Sequence, residues 1–520
     1  MGLRVIAIVS ASVLTLVACA RTNPLFGQSF KDAGGDEPGT DAGPDAGGDA
    51  GPDGGSDAGF DAGSKTANGG SCATPNDCAS GFCWRSTVCC ATACNAPCER
   101  CNTTDAGTCV HETSNQNAGG LNLSNAADSG YSAYVPAITA GPSHYVVSWI
   151  QDNAFNSNVI AQSVRFSNSS PDVACLPIPV SDAGAIGSML FSSVAARNPV
   201  DGRVGVAWGV RSASWFGRYF RYVDVDAGGN RGCLTALDVP MEHATAVGYD
   251  AGELARPEKL VYVPTGDRFY NFFSLDNVTS SACQDNRLCE TSFLGSAPSA
   301  ATTAPVRTYA QGSYLYYATD SDRRNYADHD GTIVGLFYVD SAGNSVFNRI
   351  DPAGGAPASI QEDGPSVIVD GGYPMGIAWN AALNRFAFLY GKNDALVVAD
   401  NSDTAVAVTS VDAGALAIGA AAFVATRWGT QQAGWGVVWV QLTLGGKREI
   451  VFRGVGASGS PTGLALGVAA TTVLSIPSST GVFWLDIAAP PDGGPFGVVW
   501  ADNRHPNTNS DIFFSAFACY

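Results

Sequence analysis

The chain has 520 residues, 45% of them apolar and 14% charged, with a formal net charge of −19. That apolar content supports a packed core, and the length predicts two or three structural units. The 28 Lys and Arg against 47 Asp and Glu exclude nucleic acid and anionic lipid headgroups as main partners.

The first element is a secretory signal. Residues 1–4 give a basic start, residues 5–17 an apolar stretch broken only by Ser10, Ser12 and Thr15, and Leu16-Val17-Ala18-Cys19 closes it. The stretch is too short for a transmembrane helix and ends on small residues. No later apolar run is long and unbroken enough to span a bilayer. Leu16-Val17-Ala18-Cys19 resembles a bacterial lipobox, which implies a signal peptide over 1–18 and lipidation of Cys19. Ala20 and Arg21 follow, with no Asp in second place. By resemblance to Gram-negative lipoproteins this implies the outer membrane, on its periplasmic or cell-surface side, with the lipid anchor as the membrane partner.

Residues 19–71 form the anchor and a tether. Aspartates at 32, 36, 41, 45, 49, 53, 57 and 61 recur nearly every fourth residue among Gly, Ala and Pro. Like charge and Gly/Pro content forbid a packed core, so this segment is expected to be disordered and extended. The beat fits neither an EF-hand nor a nine-residue calcium repeat.

Residues 72–111 hold Cys72, Cys78, Cys83, Cys89, Cys90, Cys94, Cys98, Cys101 and Cys109. So little apolar material needs covalent staples, and fifteen cysteines in all predict an oxidising compartment. Cys98-Glu99-Arg100-Cys101 is a CxxC, but no His sits at zinc-finger spacing, which favours disulfides over zinc or redox chemistry. Cys175, Cys233, Cys283, Cys289 and Cys519 are further disulfide candidates, with Cys283 and Cys289 expected to close a local loop. An odd number inside the module calls for a bridge to the large domain or a free thiol. The string Asp77-Cys78-Ala79-Ser80-Gly81-Phe82-Cys83 and the vicinal Cys89-Cys90 resemble a cysteine-rich module of exported myxobacterial proteins, distantly similar to the N-terminal region of Dickkopf proteins.

From 112 to 520 helix signals nearly vanish. Short apolar or alternating runs rich in Val, Phe, Tyr and Trp are punctuated by Gly, Asn and Asp. A unit of several strands recurs, with anchoring aromatics at Trp149, Trp208, Tyr262, Tyr317, Tyr390, Trp439 and Trp500, spaced 49 to 73 residues apart. An all-β period of that size predicts a β-propeller of about seven blades, six to eight in range, with an insertion between the fourth and fifth anchors. Trp500-Ala501-Asp502-Asn503-Arg504 followed by Asp511-Ile512-Phe513 resembles strands of bacterial sialidase-like and TolB-like propellers. The likeness is clearest in the last unit and partial at Trp149-Ile150-Gln151-Asp152-Asn153. It implies the fold and not an activity.

Catalytic signatures are sparse. The five histidines, His111, His144, His243, His329 and His505, form no HExxH or paired-ligand spacing. No G-x-S-x-G elbow occurs, and no S-x-D-x-G-x-T-W box. Gly454-Val455-Gly456-Ala457-Ser458-Gly459 matches GxGxxG, but Pro461 follows and no helix opens, so it is expected to be a blade turn. Asp320, Asp322, Asp328 and Asp330 cluster near Gly331 and are the candidate calcium ligands; no other cofactor is expected. Trp215, Trp428 and Trp435 fall near turns and are candidates for an exposed aromatic platform. The sequence thus favours non-catalytic binding or scaffolding of a protein or glycan. A glycan-active hydrolase or lyase is the alternative, and a structural or adhesive surface component the third reading.

Overall fold

A computed structural model describes Lys65 to Cys519, apart from several stretches, the longest being 226–233, 276–287, 295–302, 309–326, 352–365 and 408–417. The signal, Cys19 and the tether to 64 lie outside the described residues. Apart from one short 3₁₀ turn at Pro75–Asp77, every element from there to the end is a strand.

The cysteine module begins with a hairpin, Phe82–Trp84 against Val88–Cys90. Cys72 bonds Cys83 and Cys78 bonds Cys89, and Cys90 is disulfide-bonded as well. Its motif residues hold the turns together. The Asp77 carboxylate accepts the amides of Ala73 and Thr74 at 2.8 and 2.7 Å, bonds that hold its pKa below the ordinary value. Ser80 donates its hydroxyl to the Cys90 carbonyl. Gly81 takes a φ of +78°, a region other residues rarely enter.

Seven sheets follow in chain order, antiparallel but for the pairing of Glu242–Ala244 with Thr303–Ala304, and form a seven-bladed β-propeller. The first strands of blades 1 to 7 are Ser132–Ala140, Met189–Arg197, Ala255–Val263, Ala327–His329, Tyr373–Asn380, Ile418–Trp428 and Val482–Ala488. Each packs on the next, and the seventh packs on the first, so these strands form a closed ring around an axis. Six of the seven carry a register shift against their second strand, the short strand of blade 4 being the exception. Such bulges bend a strand and increase its twist, which suits a crowded axis.

The core is divided among the seams between blades. Seven clusters of buried side chains correspond one to one with the seven blade-to-blade contacts. Along each second strand alternate residues face the preceding and the following blade, as the two-residue strand period requires. Trp149, Trp208, Trp439 and Trp500 all face the preceding blade and are at most 2% exposed. A glycine recurs three residues before the anchor in four second strands: Gly205, Gly335, Gly436 and Gly497. A β-carbon at each would lie 2.7 to 2.9 Å from the aromatic ring of the next blade, namely Phe269, Phe386, Phe496 and Tyr145. Where that position carries Val146 or Tyr270 instead, the facing residue of the next blade is Val204 or Val334. The glycines thus sit where the facing residue is an aromatic ring, as close packing demands.

Two anchors differ from expectation. Tyr262 lies on the first strand of blade 3, whose second strand is Arg268–Leu275. The second strand of blade 4 is Val334–Val339, with Tyr338 in the seam to blade 3, whereas Tyr317 lies outside the described residues. An aromatic in an alternating apolar run looks the same on either strand, so the pattern carries period but not strand rank. Gly454-Val455-Gly456-Ala457 is also not a turn: it ends the third strand of blade 6, Arg448–Ala457, with Gly454 and Gly456 paired to Gly436 and Gly434.

The ring closes with chain from the N-terminal side. Thr113–Asn115 and Leu121–Asn122 pair with Asp511–Cys519, the third strand of blade 7. Asp511 accepts hydrogen bonds from Asn122 Nδ2 at 3.2 Å and Ser124 Oγ at 2.8 Å. The Leu123 and Ala133 amides reach the Ile512 and Ser510 carbonyls.

Candidate functional site

The ring of first strands encloses an axial cavity of about 440 Å³, within the range of small-ligand pockets. It is lined by the C-terminal ends of all seven first strands and by the start of the turns that follow them. The first strand is the innermost of each blade and turns its edge to the axis, so consecutive residues of seven strands, such as Lys259 to Tyr262 and Ile377 to Asn380, meet in one place.

Most of the wall is small and apolar, from Ile138, Ala140, Ala195, Ala378, Ala425 and Ala488 among others. The polar and aromatic groups are Thr139 from blade 1, Arg197 from blade 2, Lys259 and Tyr262 from blade 3, Asp328 and His329 from blade 4, and Trp379 and Asn380 from blade 5.

Several of these are committed to the fold. Asp328 accepts the His329 amide at 2.9 Å and, across the seam, the Trp379 amide at 2.7 Å. Asp486 repeats the device in blade 7, accepting the amides of Ile487 and, across the closing seam, Ile138. Asn380 donates to the Gly434 carbonyl at 2.7 Å. The Tyr262 hydroxyl donates to Asp267 at 2.7 Å, and burial with that carboxylate pushes its pKa up.

Arg197 and His329 are different. The Arg197 guanidinium lies directly over Gly141, in the first turn of blade 1, where a β-carbon would collide with it. Burial lowers its pKa, and Asp201 partly offsets the effect. Among the described residues no carboxylate lies within ion-pair distance of it. His144 stands beside it, its pKa lowered to about 4 by burial and by the charges of Arg197 and Arg165. His329 accepts the Gly331 amide on Nδ1 at 3.1 Å, which places the proton of the neutral ring on Nε2. Burial lowers its pKa in spite of Asp328 and Asp330.

The sequence-derived candidates are scattered. Trp435 is wholly buried in the seam between blades 5 and 6, and its indole donates to the Ala378 carbonyl at 3.3 Å. It is no part of an exposed platform, because its strand runs through the blade centre and turns it toward the preceding blade. Trp215 and Trp428 start and end strands, with side chains outside the described residues. Asp330 holds its own turn through the Thr332 and Ile333 amides and lies 3.5 Å from Arg349. Asp320 and Asp322 lie outside the described residues. Cys175 is disulfide-bonded; the side chains of Cys94, Cys98, Cys101, Cys109, Cys233, Cys283, Cys289 and Cys519 lie outside the described set. The Sγ atoms of Cys72, Cys78 and Cys89 lie within 4.8 Å of one another, but all three are in disulfides and offer no thiolate to a metal. Arg197, Lys259, His329 and Trp379 were not singled out from sequence. The available signal was their shared place at the ends of first strands.

Neither a protein-family model nor a curated protein matches the chain. Among solved structures it is similar to prolyl oligopeptidase B from Galerina marginata, at 9% identity and a TM-score of 0.33, over 72% of this chain and 55% of that one. It therefore spans about half the length of that protein. A putative 6-phosphogluconolactonase from Bacteroides uniformis is 11% identical over 66% of this chain and 86% of its own, with a TM-score of 0.36. AofleA from Arthrobotrys oligospora is 10% identical over 71% and 91%, with a TM-score of 0.33. Likenesses this distant bear on neither ligand nor activity; the blade count rests on the closed ring of first strands.

Proposed function

We propose that the chain is a cell-envelope lipoprotein, anchored through Cys19, whose propeller is a non-catalytic binding module with the axial cavity as its ligand site. The supporting observation is the chemistry of the cavity wall. Its described polar groups are mainly N–H donors on an apolar surface, and its one carboxylate, Asp328, is held by two main-chain amides. Acid–base catalysis needs a proton-transfer group within reach of the reacting atoms; here Asp328 is spent on joining blades 4 and 5, the Tyr262 hydroxyl on Asp267, and the His329 Nδ1 on the Gly331 amide, which leaves that ring only an N–H to donate. A donor-lined apolar cavity suits recognition instead.

A glycan array probed with the purified full chain, with released sugars assayed in parallel, tests this reading. Binding without released sugar is expected. Turnover would replace it with the glycan-active enzyme. The anchor is tested separately: labelled palmitate is expected in the wild-type protein and lost in Cys19→Ser.

A further inference from the structure

The cavity wall is divided by chemistry around its axis. The cations Arg197 and Lys259 come from neighbouring blades 2 and 3, while His329 and Trp379 come from blades 4 and 5. In a seven-membered ring blades 2 and 5 face each other across the axis. Blades 6, 7 and 1 add small apolar groups such as Ala425 and Ala488.

A ligand matching this wall carries an anionic edge on one side and an apolar face with hydroxyls on the other. Arg197 gains from such an edge. It is a partly buried cation with no described ion pair, so an arriving carboxylate would supply the charge-assisted bonds that burial withholds. Its seat over Gly141, which has no β-carbon to displace it, keeps the guanidinium at the cavity wall. On the opposite wall, Trp379 rests against Phe386 at 4.8 Å between ring centres. The His329 ring, fixed by Gly331, keeps Nε2–H as a donor for a hydroxyl or ring oxygen.

Building on the binding function proposed above, we infer that the axial cavity takes an acidic sugar, its carboxylate toward Arg197 and Lys259 and its ring toward Trp379 and His329.

The test is calorimetry or ligand-observed NMR on the full chain with D-glucuronate, D-glucose and inorganic phosphate as probes. Two variants address the cationic wall. Lys259→Gln removes one charge. Gly141→Ala keeps every charge but displaces the Arg197 guanidinium, a flexible group that can move at little cost to the fold. Glucuronate is expected to bind at least about tenfold more tightly than glucose or phosphate. Each variant should weaken it about tenfold, with Tm changed by no more than a few degrees. Equal affinity for glucuronate and glucose, phosphate binding as tight as glucuronate, no glucuronate binding at all, or unchanged affinity in both variants would each overturn the inference. A chain that binds a glycan on the array yet ignores both substitutions loses this inference and keeps the proposed binding function.

Discussion

The backbone of Gly497, in the last blade, lies under the ring of Tyr145, in the first, so closely that a β-carbon at 497 would fall 2.8 Å from two ring atoms. The contact spans the seam where the ring closes, and the same pairing recurs at Gly205, Gly335 and Gly436. Each ring is itself buried, Tyr145, Phe269, Phe386 and Phe496 all being at most 1% exposed, so none can swing aside.

Gly497→Ala and Gly436→Ala are therefore expected to destabilise the propeller by about 1–3 kcal/mol each, the usual cost of overpacking a filled core. Gly391→Ala is the control, since a β-carbon there would meet only Met375 Sδ at 3.8 Å. It should change stability by under about 0.5 kcal/mol. Denaturant midpoints of the three variants check the contrast.

Closure makes a second prediction. Asp511 is 1% exposed and binds Asn122 and Ser124 from the N-terminal side. Asp511→Ala should cost about 2–4 kcal/mol, because both partners lose a charged acceptor inside the fold. Hydrogen exchange should rise first at 121–125 and 510–514. Uniform loss of protection over all seven blades would show instead that the closure is not a separate weak point.

The third concerns the last blade's motif. The Trp500 indole donates to Asp502 at 2.7 Å, and Arg504 grips the same carboxylate through Nε at 2.9 and 3.0 Å while stacking 3.8 Å over Phe513. Asp502→Ala should cost about 3 kcal/mol or more, by stranding a buried indole and a half-buried guanidinium. Arg504→Met should cost less, because the thioether can still cover Phe513. Thermal melts of the two variants give the order.

The pH dependence of stability supplies the fourth. The His144 pKa is held at about 4, below its ordinary 6.5. Between those values the unfolded chain binds a proton that the folded chain refuses. Stability from the neutral imidazole is complete above about pH 6.5 and is lost as pH falls toward 4. His144→Gln should remove that part of the slope. Parallel melts of both proteins from pH 7 to 4 should converge as acid is added; a constant difference would exclude the linkage.

Period and class were legible in the sequence because both depend on local pattern. Alternation gave strands, and the seven recurring aromatics, Trp149, Trp208, Tyr262, Tyr317, Tyr390, Trp439 and Trp500, gave the blade repeat and its number. Strand rank was not legible at Tyr262, since first and second strands are both buried and alternate alike. Trp435 was misplaced for a related reason. Glycines on both sides of it suggest a turn, whereas both lie inside a strand, Gly434 paired with Gly456 and Gly436 leaving room for the Phe496 ring. The axial residues were hidden because a propeller gathers its site from seven distant segments. Arg197, Lys259, His329 and Trp379 have no spacing in common, only a shared position on the ring. The final Trp-x-Asp-x-Arg was readable because its contacts are local, within two residues along the strand.

The closing bond between Asn122 and Asp511 joins residues 389 positions apart. On a ribosome adding roughly 5–20 residues per second, the segment around Asn122 waits about 20 to 80 seconds for its partner to be made. Throughout that interval the first blade lacks its neighbour across the closing seam, and the unpaired segments Thr113–Asn115 and Leu121–Asn122 invite pairing with other chains. Closure is thus gated by the synthesis of Asp511–Cys519. Losing Asp511–Cys519 would leave Thr113–Asn115 and Leu121–Asn122 unpaired and strip Ile512, Phe514 and Ala516 from the closing seam, a product marked for aggregation or proteolysis more than for partial activity.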